Sequence, residues 1–226
     1  EFRLSYTKKT LRPGSDNLLY SKGKPMTDIT FPYWGPLVTK AALDVQTMST
    51  LSEKMHTAKD YFHHDITSLE NEFNFNKEEI DNVNLLLQPY FESYRSVYEK
   101  SWALDKLGPF TCTNAWVNYQ QQREWRPPHF HSNCDASFVV YMSVPKQLEH
   151  TNKNIAQEYT PGSIVFEYNK HAQYKDKLVN LDSCTYLPED GDIVIFPSTL
   201  RHYSVPFTTE ATRISISGNI NIEELT

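Results

Sequence analysis

Arg126-Pro-Pro-His-Phe-His-Ser-Asn-Cys-Asp135 leads, after Ala136, into Ser137-Phe-Val-Val-Tyr-Met-Ser-Val144. The second stretch reads as a β-strand, rich in branched and aromatic residues. The first carries two histidines one residue apart. On an extended backbone, residues i and i+2 point to one face. His129, His131 and Asp135 then share parity with Ser137, Val139 and Tyr141, and all six line one interior wall. The condition is that Ser132–Cys134 does not break the register.

Further strands lie on either side: Ala115–Tyr119, Gly162–Tyr168, Asp192–Phe196 and Thr212–Ser217. Pro161-Gly162, Pro188-Glu-Asp-Gly191 and Gly218-Asn219 read as the turns between them. The region before residue 110 is different. Residues 1–36 hold many turn formers and read as loops with an early strand. Residues 37–58 lack proline and glycine and suggest an amphipathic helix. Asn76-Lys-Glu-Glu79 fits a helix N-cap followed by an acid three residues on. From there Ile80, Val83, Leu87, Tyr90, Phe91, Tyr94, Val97 and Trp102 recur near helical spacing. Pro89 predicts a kink in this helix or a break into two. Helices followed by many strands define an α+β chain built on a β-sandwich or barrel. One domain spans residues 1–226, with N-terminal strands and supporting helices over 1–109 and the strand-rich core over 110–222.

The 226 residues suffice for a core without disulfide staples. Three cysteines with no CxxC spacing point to free thiols and a reducing, cytoplasmic compartment. The net charge of −6 disfavours a general nucleic-acid binder. No apolar run approaches the length of a membrane span.

A lone His-x-His pair is a weak signal. A second cluster strengthens it: Gly191-Asp-Ile-Val-Ile-Phe-Pro-Ser-Thr-Leu-Arg-His202, then Arg213-Ile-Ser-Ile-Ser217. Two imidazoles suit iron, zinc, nickel or copper, and an added carboxylate favours Fe(II) or Mn. Strand parity sets Ile214 and Ile216 in the core, with Arg213, Ser215 and Ser217 on the opposite face. A guanidinium inside a barrel needs an anion, and a small dicarboxylate satisfies it. The other five histidines, His56, His63, His64, His150 and His171, read as surface residues.

Together these motifs resemble the iron(II)/2-oxoglutarate-dependent oxygenases, closest to those of marine phages and bacteria related to prolyl hydroxylases. Trp116–Tyr119, Pro128–His131, Ser137–Tyr141, Gly191–Ser198, His202 and Arg213–Asn219 carry the resemblance, over about residues 110–220. It implies a double-stranded β-helix (jelly-roll, cupin-like) core, Fe(II) as metal and 2-oxoglutarate as cosubstrate. It makes His129 and His202 ligands and sets Arg213 against the far carboxylate of 2-oxoglutarate, helped by Ser215. Tyr119 or Tyr141 adds a hydroxyl there. The family pattern has a carboxylate two residues after the first histidine, where this chain has His131. Either His131 or Asp135 completes the set, or the position is open to water or halide. No catalytic residue beyond the metal site is implied.

The activity implied is hydroxylation of a C–H bond in a peptide side chain or small molecule, with release of succinate and carbon dioxide. Two other readings compete. One is a cupin-type metalloenzyme that does not use 2-oxoglutarate. The other is a non-catalytic cupin-like binding domain. Gln120-Gln-Gln-Arg123, Trp125 and Arg126 precede the ligand segment and belong at the mouth of the site. Stretches 146–160 and 169–187 are candidate lids.

Overall fold

The computed structural model describes residues 35–58, 60–61, 69–102, 106–146, 160–168 and 183–224. The chain divides into two compact units, Glu1–Pro32 and Tyr33–Thr226, and every described residue lies in the second. The early strand expected before residue 36 falls almost wholly outside the described residues, as does most of both candidate lids.

In chain order the elements are β1 (Thr39–Ala42), α1 (Val45–Met55), β2 (Asp60–Tyr61), β3 (Glu72–Asn74), α2 (Lys77–Trp102), β4 (Phe110–Gln120), β5 (Ala136–Ser143), β6 (Ile164–Glu167), β7 (Ser183–Tyr186), β8 (Asp192–Pro197), β9 (Arg201–Ser204) and β10 (Arg213–Ile222). A seven-stranded sheet runs in the order β1-β8-β5-β10-β4-β3-β2, and a three-stranded sheet in the order β7-β6-β9. Every strand pairing is antiparallel. Helices support one face of the large sheet, giving an α+β double-stranded β-helix, the jelly-roll architecture the motifs imply.

Alternation along each central strand separates two interiors. Val117, Val140, Ile193, Ile195, Ile216 and Ile220 are buried with α1 and α2. Tyr141, Val194 and Phe196 face the other way and pack with Ile164 and Phe166 of the small sheet and with Leu200. A fully buried branched or aromatic side chain contributes roughly 1.5–3 kcal/mol over its exposed state. The period-two pattern therefore commits both faces of the large sheet to burial.

The α2 start forms as a reciprocal cap. Glu79 N–H donates to Asn76 Oδ1 at 3.0 Å, and Asn76 N–H donates to Glu79 Oε2 at 2.7 Å. Val83, Leu87, Phe91 and Tyr94 form its buried stripe. The Phe91 ring lies 5.4 Å from that of Phe138, and Tyr94 lies 6.0 Å from Phe110. Pro89 does not divide this helix, which is assigned as one 26-residue element. Packing of the stripe against the sheet outweighs the proline.

Two expectations are corrected. The helix read over 37–58 begins only at Val45, capped by Asp44, whose Oδ1 accepts from Thr47 N–H at 2.9 Å. Residues 39–42 instead pair with the edge of β8, with Lys40 bound to Asp192 at 3.1 Å. An open strand edge offers this segment backbone hydrogen bonds and outweighs its local helical pattern. Gly218-Asn219 is not a turn but the middle of β10, with a register shift at Asn219/Ile220. A Cβ on Gly218 would lie 2.5 Å from the Phe138 ring and 2.7 Å from Asn114 O, so the glycine serves close packing.

Candidate active site

His129, His131 and His202 come together between the two sheets. One ring nitrogen from each can be chosen so that all three lie within 4.8 Å of one another. The His131 and His202 rings are 5.2 Å apart and nearly parallel, at 6°. Trp116 stacks on His131 at 5.9 Å, and Phe196 meets His202 edge-on at 4.6 Å. The loop that carries His131 is tied down by its N–H, which donates to Ser198 O at 2.9 Å.

The tautomers follow from backbone partners. His129 Nδ1 lies 2.7 Å from Pro127 O, and His202 Nδ1 lies 2.8 Å from Leu200 O. A carbonyl oxygen only accepts, so Nδ1 carries the proton in both rings and Nε2 keeps its lone pair. That is how a neutral histidine is prepared as a metal ligand. Burial, reinforced by His129, holds the His202 pKa well below the usual histidine value. This ring is therefore neutral without a metal. The donor set, three imidazoles, fits Fe(II).

Asp135 does not join them. It is exposed, and its Oδ2 accepts from Ile222 N–H at 2.7 Å, at the far end of β10. Parity fails because Asn133 takes a left-handed conformation, with φ 62°. That single residue re-aims the chain between the histidine pair and β5, so Asp135 leaves the wall on which Ser137, Val139 and Tyr141 remain.

A cavity adjoins the histidines and is lined also by Arg213, Ser215 and Tyr141. Arg213 is 6% exposed. Its Nη1 donates to Gly162 O at 2.5 Å and its guanidinium lies 5.6 Å from the centre of the Tyr141 ring. Its Nε has no hydrogen-bond partner, and no carboxylate pairs with it among the described residues. Burial lowers its pKa, while Tyr141 acts in the opposite sense. The Tyr141 hydroxyl is pushed up to about 12 by burial, so it stays a donor. An orphaned buried cation beside two hydroxyls fits a small carboxylate ligand.

Tyr119 is corrected. The inward residues of β4 are Trp116, Asn118 and Gln120. Tyr119 therefore lies on the helix face, 6.0 Å edge-on from Phe73, and does not line the cavity. The same parity could have identified Asn118 and Gln120 from the sequence. Arg126 also lines the cavity, in an ion pair with Glu72 of β3 that no sequence spacing signals. Of the histidines given no role, His56 is exposed, and the rest lie outside the described residues. Cys112, Cys134 and Cys184 are free. Among the described residues no helix is long and apolar enough to cross a membrane.

The fold, the histidine cluster and the buried arginine are similar to what the iron(II)- and 2-oxoglutarate-dependent dioxygenases require. Residues 114–219 match the family model described as "Putative 2OG-Fe(II) oxygenase". The core is that of such an oxidoreductase, with Fe(II) and 2-oxoglutarate as its cofactors. Solved structures share the fold. A 2OG-Fe(II) family oxidoreductase from Burkholderia pseudomallei is 8% identical with a TM-score of 0.54, over 81% of this chain and 84% of that one. A Pseudomonas putida prolyl-4-hydroxylase is 13% identical with a TM-score of 0.50, over 83% and 93%. A Trichoplax adhaerens prolyl hydroxylase, in complex with a hypoxia inducible factor peptide fragment, is 10% identical with a TM-score of 0.51, over 83% of each chain. Curated protein sequences provide no match.

Proposed function

We propose that this chain hydroxylates a C–H bond of a peptide side chain or small molecule, with Fe(II) held by His129, His131 and His202 and 2-oxoglutarate held by Arg213. The observation that carries the reading is the presence in one cavity of three clustered histidines and a buried guanidinium that meets no carboxylate among the described residues. Iron and 2-oxoglutarate supply the chemistry, coupling oxidative decarboxylation of the keto acid to oxidation of the substrate. The protein's part is binding and orientation. Arg213 and the hydroxyls of Ser215 and Tyr141 receive the far carboxylate, which leaves the keto acid end for the metal. Three neutral imidazoles add no negative charge to the metal face, so the neutralising charge comes from the cosubstrate.

Two observations favour this over the competing readings. A cupin-type metalloenzyme without 2-oxoglutarate keeps Asp135 as a fourth ligand and leaves Arg213 as a substrate clamp or a structural ion-pair partner, yet Asp135 lies away from the histidines and no carboxylate pairs with Arg213 among the described residues. A binding domain with incidental histidines has no reason to hold two of them in one tautomer beside a third. A peptide substrate agrees with the peptide bound by the Trichoplax neighbour. The test is succinate formation from 2-oxoglutarate by the purified full chain. It is expected to require added Fe(II) and to stop with a chelator. Turnover indifferent to iron rejects the reading.

A further inference from the structure

We infer that the cavity wall formed by Asn118, Gln120 and Arg126, the last held in an ion pair by Glu72 behind it, orients the substrate by binding an uncharged amide, either a peptide linkage or a side-chain carboxamide. The inference rests on the oxygenase reading above and adds the chemical class of the substrate.

The register brings these side chains into one patch. Glu72 lies opposite Asn118 across β3 and β4, and Asn118 and Gln120 lie opposite Ser215 and Arg213 across β4 and β10. Directly opposed residues project from the same face of a sheet. The patch therefore continues the row that ends at Arg213.

Gln120 is 1% exposed, lines the cavity and donates through Nε2 to Glu124 O at 2.6 Å. Because a carbonyl only accepts, this bond fixes the amide orientation. Gln120 Oε1 is then an acceptor, and it has no partner among the described residues. Asn118 is also buried. Its Nδ2 donates to Ser217 Oγ at 3.0 Å and more weakly to Ser215 Oγ at 3.4 Å, and its Oδ1 has no partner among the described residues. Two buried acceptors on one wall call for a donor. 2-Oxoglutarate at neutral pH has only acceptor oxygens and cannot supply it.

Charge narrows the class. Glu72 is fully buried and forms an ion pair with Arg126 Nη2. The pair is neutral as a whole, so an anionic or cationic substrate group at this wall has no counter-charge left to meet. Arg126 has five N–H donors, more than one ion pair uses. Acceptors beside a guanidinium match a group that carries both N–H and C=O.

The test uses the full chain loaded with Mn(II) and 2-oxoglutarate. Paramagnetic broadening of methyl proton resonances is measured for acetamide, acetate, methylguanidinium and ethanol as probes. Acetamide is expected to be broadened most. Gln120→Met is expected to reduce its broadening by about fivefold, the equivalent of one net hydrogen bond. Equal or stronger broadening of another probe, or broadening of none, overturns the amide assignment and leaves the metal site intact. Wild-type probe preference decides the matter even if Gln120→Met does not fold. If Mn(II) does not bind, or binds equally to His129→Ala, the oxygenase reading itself fails.

Discussion

His129 and His202 are cross-strand partners that exchange both backbone hydrogen bonds: His129 N–H to His202 O at 3.0 Å, and His202 N–H to His129 O at 2.9 Å. Their ring centres lie 4.3 Å apart. Two proposed ligands 73 residues apart in sequence are thus held by an isolated backbone bridge between His129 and β9 of the small sheet. The pair exists before any metal arrives, which limits the ordering needed on binding.

This arrangement sets the contest for the third ligand. His131→Ala is expected to weaken Mn(II) or Fe(II) binding at least about 10-fold, the lower bound seen when even an outer partner of a ligand is removed. Asp135→Ala is expected to leave metal affinity within about twofold. It removes the acceptor of Ile222 N–H and destabilises by about 1 kcal/mol. Metal titration of both variants checks this, and a large loss on Asp135→Ala would return the carboxylate to the ligand set.

Arg213→Ala is expected to raise the apparent KM for 2-oxoglutarate by roughly 30-fold or more. Truncating one partner of a buried charge pair costs about 2–5 kcal/mol, and each 1.4 kcal/mol is about tenfold. Arg213→Lys is expected to recover only part of this, since an ammonium cannot form the bidentate contact. Succinate formation against 2-oxoglutarate concentration measures both, and an unchanged KM removes Arg213 from the cosubstrate site.

Cys112 predicts the alkaline behaviour. Burial pushes its thiol from 9.0 up to about 12, and the side chain lies 2% exposed beneath α2. Above pH 9 the unfolded chain releases this proton while the folded protein keeps it. Stability therefore falls as pH rises between the two values. The expected loss is on the order of 2–3 kcal/mol from pH 8 to pH 11. Denaturant midpoints against pH are expected to decline less steeply in Cys112→Ala, and a parallel decline assigns the effect to other groups.

Gly218→Ala is expected to destabilise by about 1–3 kcal/mol, the range for overpacking a filled core. The added methyl meets the Phe138 ring on one side and Asn114 O on the other. Pairing it with Phe138→Leu is expected to recover part of the loss, because the ring is the neighbour able to give way. Thermal or chemical unfolding of the three variants checks the coupling.

Periodicity is a local property, and what depends on it was legible in the sequence. Alternation in Ser137–Val144 and Arg213–Ser217 specified the strands and the direction in which Arg213, Ser215 and Tyr141 point. The capping box at Asn76 and Glu79 specified where α2 begins. Parity misled only where one residue changed the backbone path. The left-handed Asn133 turned Asp135 away from the histidines, and nothing in its neighbours' types signals that conformation. Tyr119 carries the hydroxyl the resemblance asks for but lies on the helix face of β4, outside the cavity.

Only the tertiary structure decided the rest, because it depends on which distant segments become neighbours. Pairing with β8 made a strand of Thr39–Ala42 despite its helical pattern. Pairing of β3 with β4 brought the Glu72 carboxylate into an ion pair with Arg126, which lines the cavity. Among the described residues, burial leaves Arg213 without an anion and Gln120 Oε1 without a donor. The sequence determined which residues could carry the chemistry, through side-chain type and strand period. Long-range pairing and desolvation decided which of them meet.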